Sequence, residues 1–217
     1  MSGTNNAKTT DLIWSLILGT IAFLIAGVIA GIVVLRLDNY ILATLVAGGI
    51  GGLLLGLFNW KHQLTVRMAG AGFAGVLLGF WGGFVLAEGL VGGFGMLFPS
   101  IAAGFEGGWL ADLLANLLMG LLFGAVFGGI VYGRKAIRIF SLVCGAATLP
   151  FGLLVRVLNS DHWIKEWLVD LFAVIGIVDI NIVVMVTQFG VGAGLGIGLY
   201  HAAKLKSADV SLQKSVY

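Results

Sequence analysis

The sequence predicts an all-α integral membrane protein, a bundle of six glycine-rich transmembrane helices with its N and C termini inside. Three observations predict it. Hydrophobic residues make up 59% of the chain and charged residues 10%, with a mean hydropathy of +1.08, whereas about a quarter of a soluble domain is charged. Glycine accounts for 35 of 217 residues, about twice its usual share. With two prolines and no Gly-X-Y period, collagen-like and disordered chains are excluded, which leaves close helix packing as the use for glycine. Finally, apolar runs of spanning length recur between short polar breaks, as a bilayer core about 30 Å thick requires.

Residues 1–11 read as a short, flexible polar tail, 12–204 as a single transmembrane bundle and 205–217 as a mobile polar C-terminal tail. The first span, 12–35, exceeds both the roughly 20 residues needed to cross a bilayer and the roughly 7 to 15 of a signal peptide's apolar region, so it is expected to be an uncleaved anchor. Asp38 and Asn39 then turn the chain. The second span is 41–60. The third, 67–88, carries Ala71, Gly75, Gly79, Gly83 and Ala87 at every fourth position. In lipid the burial of apolar surface gains little, because acyl chains are as apolar as Leu; helices associate through close backbone contact, which small residues allow. Four residues overshoot a helical turn by about 40°, so this row is expected to drift steadily round its helix.

Beyond Glu88 the chain stays apolar but is interrupted by Gly92, Gly93, Gly95, Pro99, Gly104, Gly107 and Gly108. So many helix breakers argue against an ordinary span. A re-entrant or cap-like segment is expected near 89–111, since irregular backbone survives at membrane depth only where protein or water satisfies it; an ordered surface loop is the alternative. The fourth span is 113–132, a basic turn GRKAIR follows, and the fifth span, 137–158, contains Pro150. Between 161 and 179, Trp163, Ile164, Trp167, Leu168, Leu171 and Phe172 recur at helical spacing with Lys165, Glu166 and Asp170 elsewhere on the turn. An interfacial helix near 162–178, with its tryptophans at headgroup level, accounts for this pattern. The sixth span is 182–204.

Loop charge sets the orientation, because inside segments carry an excess of Lys and Arg. With the N terminus inside, Lys8, Lys61, Arg67, Arg134, Lys135, Arg138, Lys204, Lys206 and Lys214 lie inside, and only Arg36, Arg156 and Lys165 lie outside. Spans two, four and six end alike: Gly52-xxx-Gly56-xxx-Trp60, Gly124-xxx-Gly128-xxx-Tyr132 and Gly192-xxx-Gly196-xxx-Tyr200. Each pair is a candidate helix-packing contact beside an interfacial aromatic, and the shared ending suggests a repeat, although Gly-xxx-Gly pairs arise often by chance at this glycine content.

Chemistry-bearing residues are few. The middles of the spans hold no ionisable group, which ion and proton pathways normally require. Glu88, Glu106 and Asp112 flank the glycine-rich segment and would ring an outer vestibule that concentrates cations, or form a merely solvated rim. Asn116 and Gln188 are neutral polar groups at membrane depth; as interhelical hydrogen bonds each would contribute roughly 0.6 kcal/mol. No nucleophile–base pair, metal-ligand spacing or phosphate loop is present, so no catalytic residue, metal or cofactor is expected, and the lysines are too scattered for nucleic acid. The single Cys144 excludes an intrachain disulfide. The function expected is a small polytopic transport component for an uncharged, apolar or cationic solute, not an enzyme. The alternative is a non-catalytic structural subunit of a larger membrane complex. The partners expected are the lipid bilayer and other membrane subunits or further copies of the chain, in a plasma or inner membrane.

Overall fold

The computed structural model describes residues 3–59, 62–97, 109–159, 163–174 and 182–214, and among them there are helices and no strands. Helix α1 (Gly3–Leu37) is followed by α2 (Tyr40–Phe58) and by α3 (His62–Ala74), which passes through a π-helical turn (Gly75–Phe80) into α4 (Trp81–Leu97). Then come α5 (Trp109–Tyr132), α6 (Arg134–Asn159), α7 (Trp163–Val174) and α8 (Ile182–Lys214). Five segments are long and apolar enough to cross a membrane: Asp11–Leu37, Tyr40–Phe58, Gln63–Gly93, Asp112–Tyr132 and Arg134–Val155.

The turns follow from local chemistry. Asp38 takes a left-handed backbone conformation (φ 48°), and its N–H reaches the Val34 carbonyl at 2.8 Å. The side chain of Asn39 then caps α2 by accepting from the Leu42 N–H at 2.9 Å, as a short polar side chain at a helix start does. Between α5 and α6 there is almost no loop. Gly133, at φ +83°, donates to the Gly129 carbonyl and accepts from the Ala136 N–H, each at 3.0 Å. The basic segment expected as a turn is thus already the first turn of α6, because one glycine able to adopt positive φ suffices to reverse the chain. Arg134 and Lys135 therefore stand at a helix N-terminus, where the backbone dipole disfavours cations.

The expectation of a re-entrant or cap-like segment near 89–111 is corrected over its first part: 89–97 is the continuation of α4, and 109–111 already belong to α5; 98–108 lie outside the described residues. With no water to compete for the backbone, glycine's low helix propensity is outweighed by the need to satisfy each peptide group internally. Both terminal tails are also helical where described, α1 from Gly3 and α8 through to Lys214. The expected helix is present as α7, with no fully buried residue. Its Ile164, Leu168 and Phe172 pack against Leu158, Met185 and Val186, while Trp163 and Trp167 are exposed. Residues 175–178 of that segment lie outside the described set.

The helices close into a ring in chain order. α1 packs on α2, α2 on α3, the π turn and α4 on α5, α5 on α6, α6 on α8, and α8 back on α1. Their main chains approach closely where glycines lie. Gly48 meets Gly72 and Gly52 meets Met68 between α2 and α3. Gly124 meets Phe140 between α5 and α6, and Gly192 meets Gly19 between α8 and α1. Gly56, Gly128 and Gly196 extend these contacts against Thr65, Phe140 and Ser15. The three similar Gly-xxx-Gly pairs therefore each face the next helix round the ring. α8 is occupied on two sides, since a Cβ at Gly194 would lie 2.7 Å from the Cα of Cys144 on α6.

The row on the third helix is turned toward α5: Gly75 and Gly79 face Phe123, Gly83 faces Met119, and Ala71 and Ala87 are buried. Its drift is not steady. The Trp81 N–H bonds to the Val76 carbonyl, five residues back, and the wider π turn makes the step from Gly75 to Gly79 fall short of a full turn rather than overshoot it. The π turn thus cancels part of the drift and keeps the row on one neighbour.

Candidate functional site

The axis of the ring is filled at one end and subdivided at the other. Phe23 of α1 meets Phe123 of α5 edge-on across the ring, with centroids 6.2 Å apart. Phe123 stacks on Phe127, Phe127 lies 5.9 Å from Phe140, and Phe140 stacks on Tyr132. These rings belong to one large buried cluster that also takes in Leu55, Met68, Val76, Leu195 and Leu199. The remaining buried apolar residues fall into three smaller clusters: Ala26, Ala30, Val34, Ala43, Ala47 and Val184; Leu158, Met185 and Val186; and Ala87, Ala115 and Met119.

Buried polar groups accompany these smaller clusters. Thr44, 5% exposed, accepts a hydrogen bond from the Trp81 indole N–H at 3.1 Å and donates to the Tyr40 or Ile41 carbonyl. Trp81 follows the π turn directly, so the turn places its indole toward α2. Thr148 donates to the Asn116 carbonyl at 2.8 Å, joining α6 to α5, or to carbonyls one turn back on its own helix. Asn116 does not bridge helices through its amide, contrary to expectation. Its Nδ2 donates to the Asp112 carbonyl on its own helix at 2.9 Å, the nearest acceptor that α5 itself supplies.

Gln188 behaves differently. It is 1% exposed, and neither Nε2 nor Oε1 has a hydrogen-bond partner among the described residues. The side chain faces α1, where a Cβ on Gly27 would lie 3.1 Å from its Cβ. The expected interhelical bond is absent, and Gly27, the residue of α1 opposite it, offers no side-chain acceptor or donor. A buried amide left unmade costs about 1–3 kcal/mol.

Of the acidic residues, Glu88 is exposed and Asp112 half-buried. Packing of Ala87 against Ala115 and Met119 places the two acids on adjacent helices, but Glu88 does not end its helix, which continues to Leu97. Glu106 lies outside the described residues. Among the described residues no three His, Cys, Asp or Glu gather where a metal ion could be held. Thr148 is legible in the sequence as a polar group at membrane depth, but the pairing of Thr44 with Trp81 is not; the only signal of either is a polar group inside an apolar run.

The class that this fold and these buried groups define is an all-helical membrane protein. No protein-family model, characterised protein or solved structure matches the chain, so its function is read from its own geometry.

Proposed function

We propose that the protein is a small membrane transport component, six spans with both ends on one side, that passes an uncharged or cationic small solute through the ring. The single observation that carries this reading is the unpartnered amide of Gln188. The other buried polar side chains whose bonds are described, Thr44, Asn116 and Thr148, each make at least one hydrogen bond. A bundle that leaves one amide unsatisfied holds a group with unspent hydrogen-bonding capacity, and a state in which α1 parts from α8 would offer it to a passing solute. The aromatic plug around Phe123 is then the closed end of the path. Glu88 and Asp112 would attract cations at the other end.

The test is flux in proteoliposomes, screened over small neutral and cationic solutes, with Gln188→Leu as the variant. Removing an unsatisfied buried amide is expected to raise resistance to unfolding by about 1 kcal/mol while flux falls to the level of empty vesicles. A Gln188→Leu protein that is more stable and transports as well as the wild type would end this reading. Changing Glu88, Glu106 and Asp112 together to Gln separately tests the acidic entrance, through its effect on cation uptake.

A second reading, a structural subunit of a larger assembly, is favoured by one face of α4. Gly82, Gly89, Gly92 and Gly93 have open space where a side chain would stand, and the neighbouring Val85, Leu86 and Leu90 are exposed. Such a face would accept a helix from another subunit or a second copy. Native mass measurement after mild detergent extraction distinguishes the readings: obligate co-purifying subunits support assembly, a functional monomer supports transport.

A further inference from the structure

The start of α6 carries a feature that the proposed transport does not use. A groove of about 450 Å³ opens at the surface, lined by Arg134, Ile137, Arg138, Ser141 and Leu142. These positions follow one another at helical spacing, so they form a single stripe along α6. Its two ends differ in chemistry. Arg134 and Arg138 are exposed, one turn apart, and no acidic partner is recorded for either among the described residues. Ile137 and Leu142 are apolar and 37% and 57% exposed. Between them the Ser141 hydroxyl is already committed, donating to the Leu121 carbonyl of α5 at 2.8 Å, which ties the floor of the groove to the next helix and leaves the arginines as its free donors.

Two guanidinium groups one turn apart, at the end of a spanning helix and continuous with an apolar wall, match an amphiphile with an anionic oxygen-rich head. Arg presents a planar fork of N–H donors suited to phosphate. A volume of this size falls in the range of sites for small ligands. The apolar lining separates a lipid from a soluble anion: Ile137 and Leu142 are of no use to free phosphate but suit the first segment of an acyl chain lying along the helix.

We propose that this groove binds the headgroup of an anionic phospholipid, with the phosphate on Arg134 and Arg138 and the chain against Ile137 and Leu142. Occupancy places negative charge beside the start of α6 and so offsets the unfavourable placement of cations at a helix N-terminus.

The experiment uses the full-length, delipidated protein in neutral detergent and measures binding of phosphatidylglycerol, phosphatidylcholine and inorganic phosphate by native mass spectrometry and by titration. Phosphatidylglycerol is expected to bind in preference to phosphatidylcholine, and inorganic phosphate not measurably. Each single variant, Arg134→Gln or Arg138→Gln, is expected to weaken phosphatidylglycerol roughly fivefold, the double variant more, and added salt to act in the same direction. Leu142→Asn is expected to weaken the lipid while leaving any response to inorganic phosphate unchanged. All three side chains are exposed, so unchanged helical circular dichroism and unfolding midpoint verify that the variants fold. Phosphatidylglycerol affinity unaffected by the double arginine variant overturns the proposal. Inorganic phosphate bound as tightly as the lipid replaces it with a soluble-anion site.

Discussion

Residue by residue, the glycines of this chain do two different jobs, and adjacent positions on α2 separate them. A Cβ at Gly48 would lie 2.5 Å from the Gly72 carbonyl oxygen and from a Val76 methyl, whereas Gly49 has nothing within 4 Å. Gly48→Ala is therefore expected to force α2 from α3 and to lower stability by about 2 kcal/mol. Gly49→Ala is expected to be neutral or to stabilise by up to about 1 kcal/mol through helix propensity. Reversible unfolding of both variants in mixed micelles reads the difference, and equal effects would mean that the main chains do not touch at Gly48. A glycine's letter does not say which role it has, since spacing marks candidate rows only. Gln188 makes the same point for polar residues. Its depth was legible, but whether its amide would find a partner depended on which residues of α1 came to lie opposite.

At the scale of elements, the third helix shows how a local irregularity serves packing. A π turn behaves as one residue inserted into an α-helix, and the insertion here lies between Gly75 and Phe80. Removing one exposed residue inside it, Leu78, is expected to restore regular helix while leaving Ala71, Gly83 and Ala87 facing α5. Removing Val85, equally exposed to the surroundings but outside the turn, rotates everything beyond it by about 100°. The first deletion is expected to lower the unfolding midpoint slightly and the second to prevent folding, with recovery of monodisperse protein as the measurement. The extent of this helix was underestimated from sequence for a related reason. Breakers such as Gly92 and Gly93 interrupt helices in water, where the peptide group has other partners, and do so far less in an apolar medium.

For the whole molecule, the closure of α8 on α1 and the contact of Phe23 with Phe123 matter most. The latter joins helices that are not neighbours in the ring, so it reports the ring itself and not any one interface. A double-mutant cycle with Phe23→Leu and Phe123→Leu is expected to yield a coupling of about 1 kcal/mol, the worth of an edge-on aromatic pair. A coupling near zero would mean that the plug is not closed across the axis. The row of equivalent pairs, Gly52 and Gly56, Gly124 and Gly128, Gly192 and Gly196, was visible as a similarity of spelling. Its meaning, each pair seating the following helix and the last seating the first, became apparent only with the ring.

Composition and hydropathy alone determined that the chain is helical and where most of its apolar spans begin, because the bilayer imposes those rules on each segment separately. The turn at Asp38 and Asn39 and the amphipathic α7 were equally local, hence equally legible. Tertiary structure alone decided which glycines touch backbone, where the π turn redirects a row, and which buried amide goes unpaired. Those outcomes depend on what one helix presents to another across the ring, and no stretch of sequence contains its own neighbour.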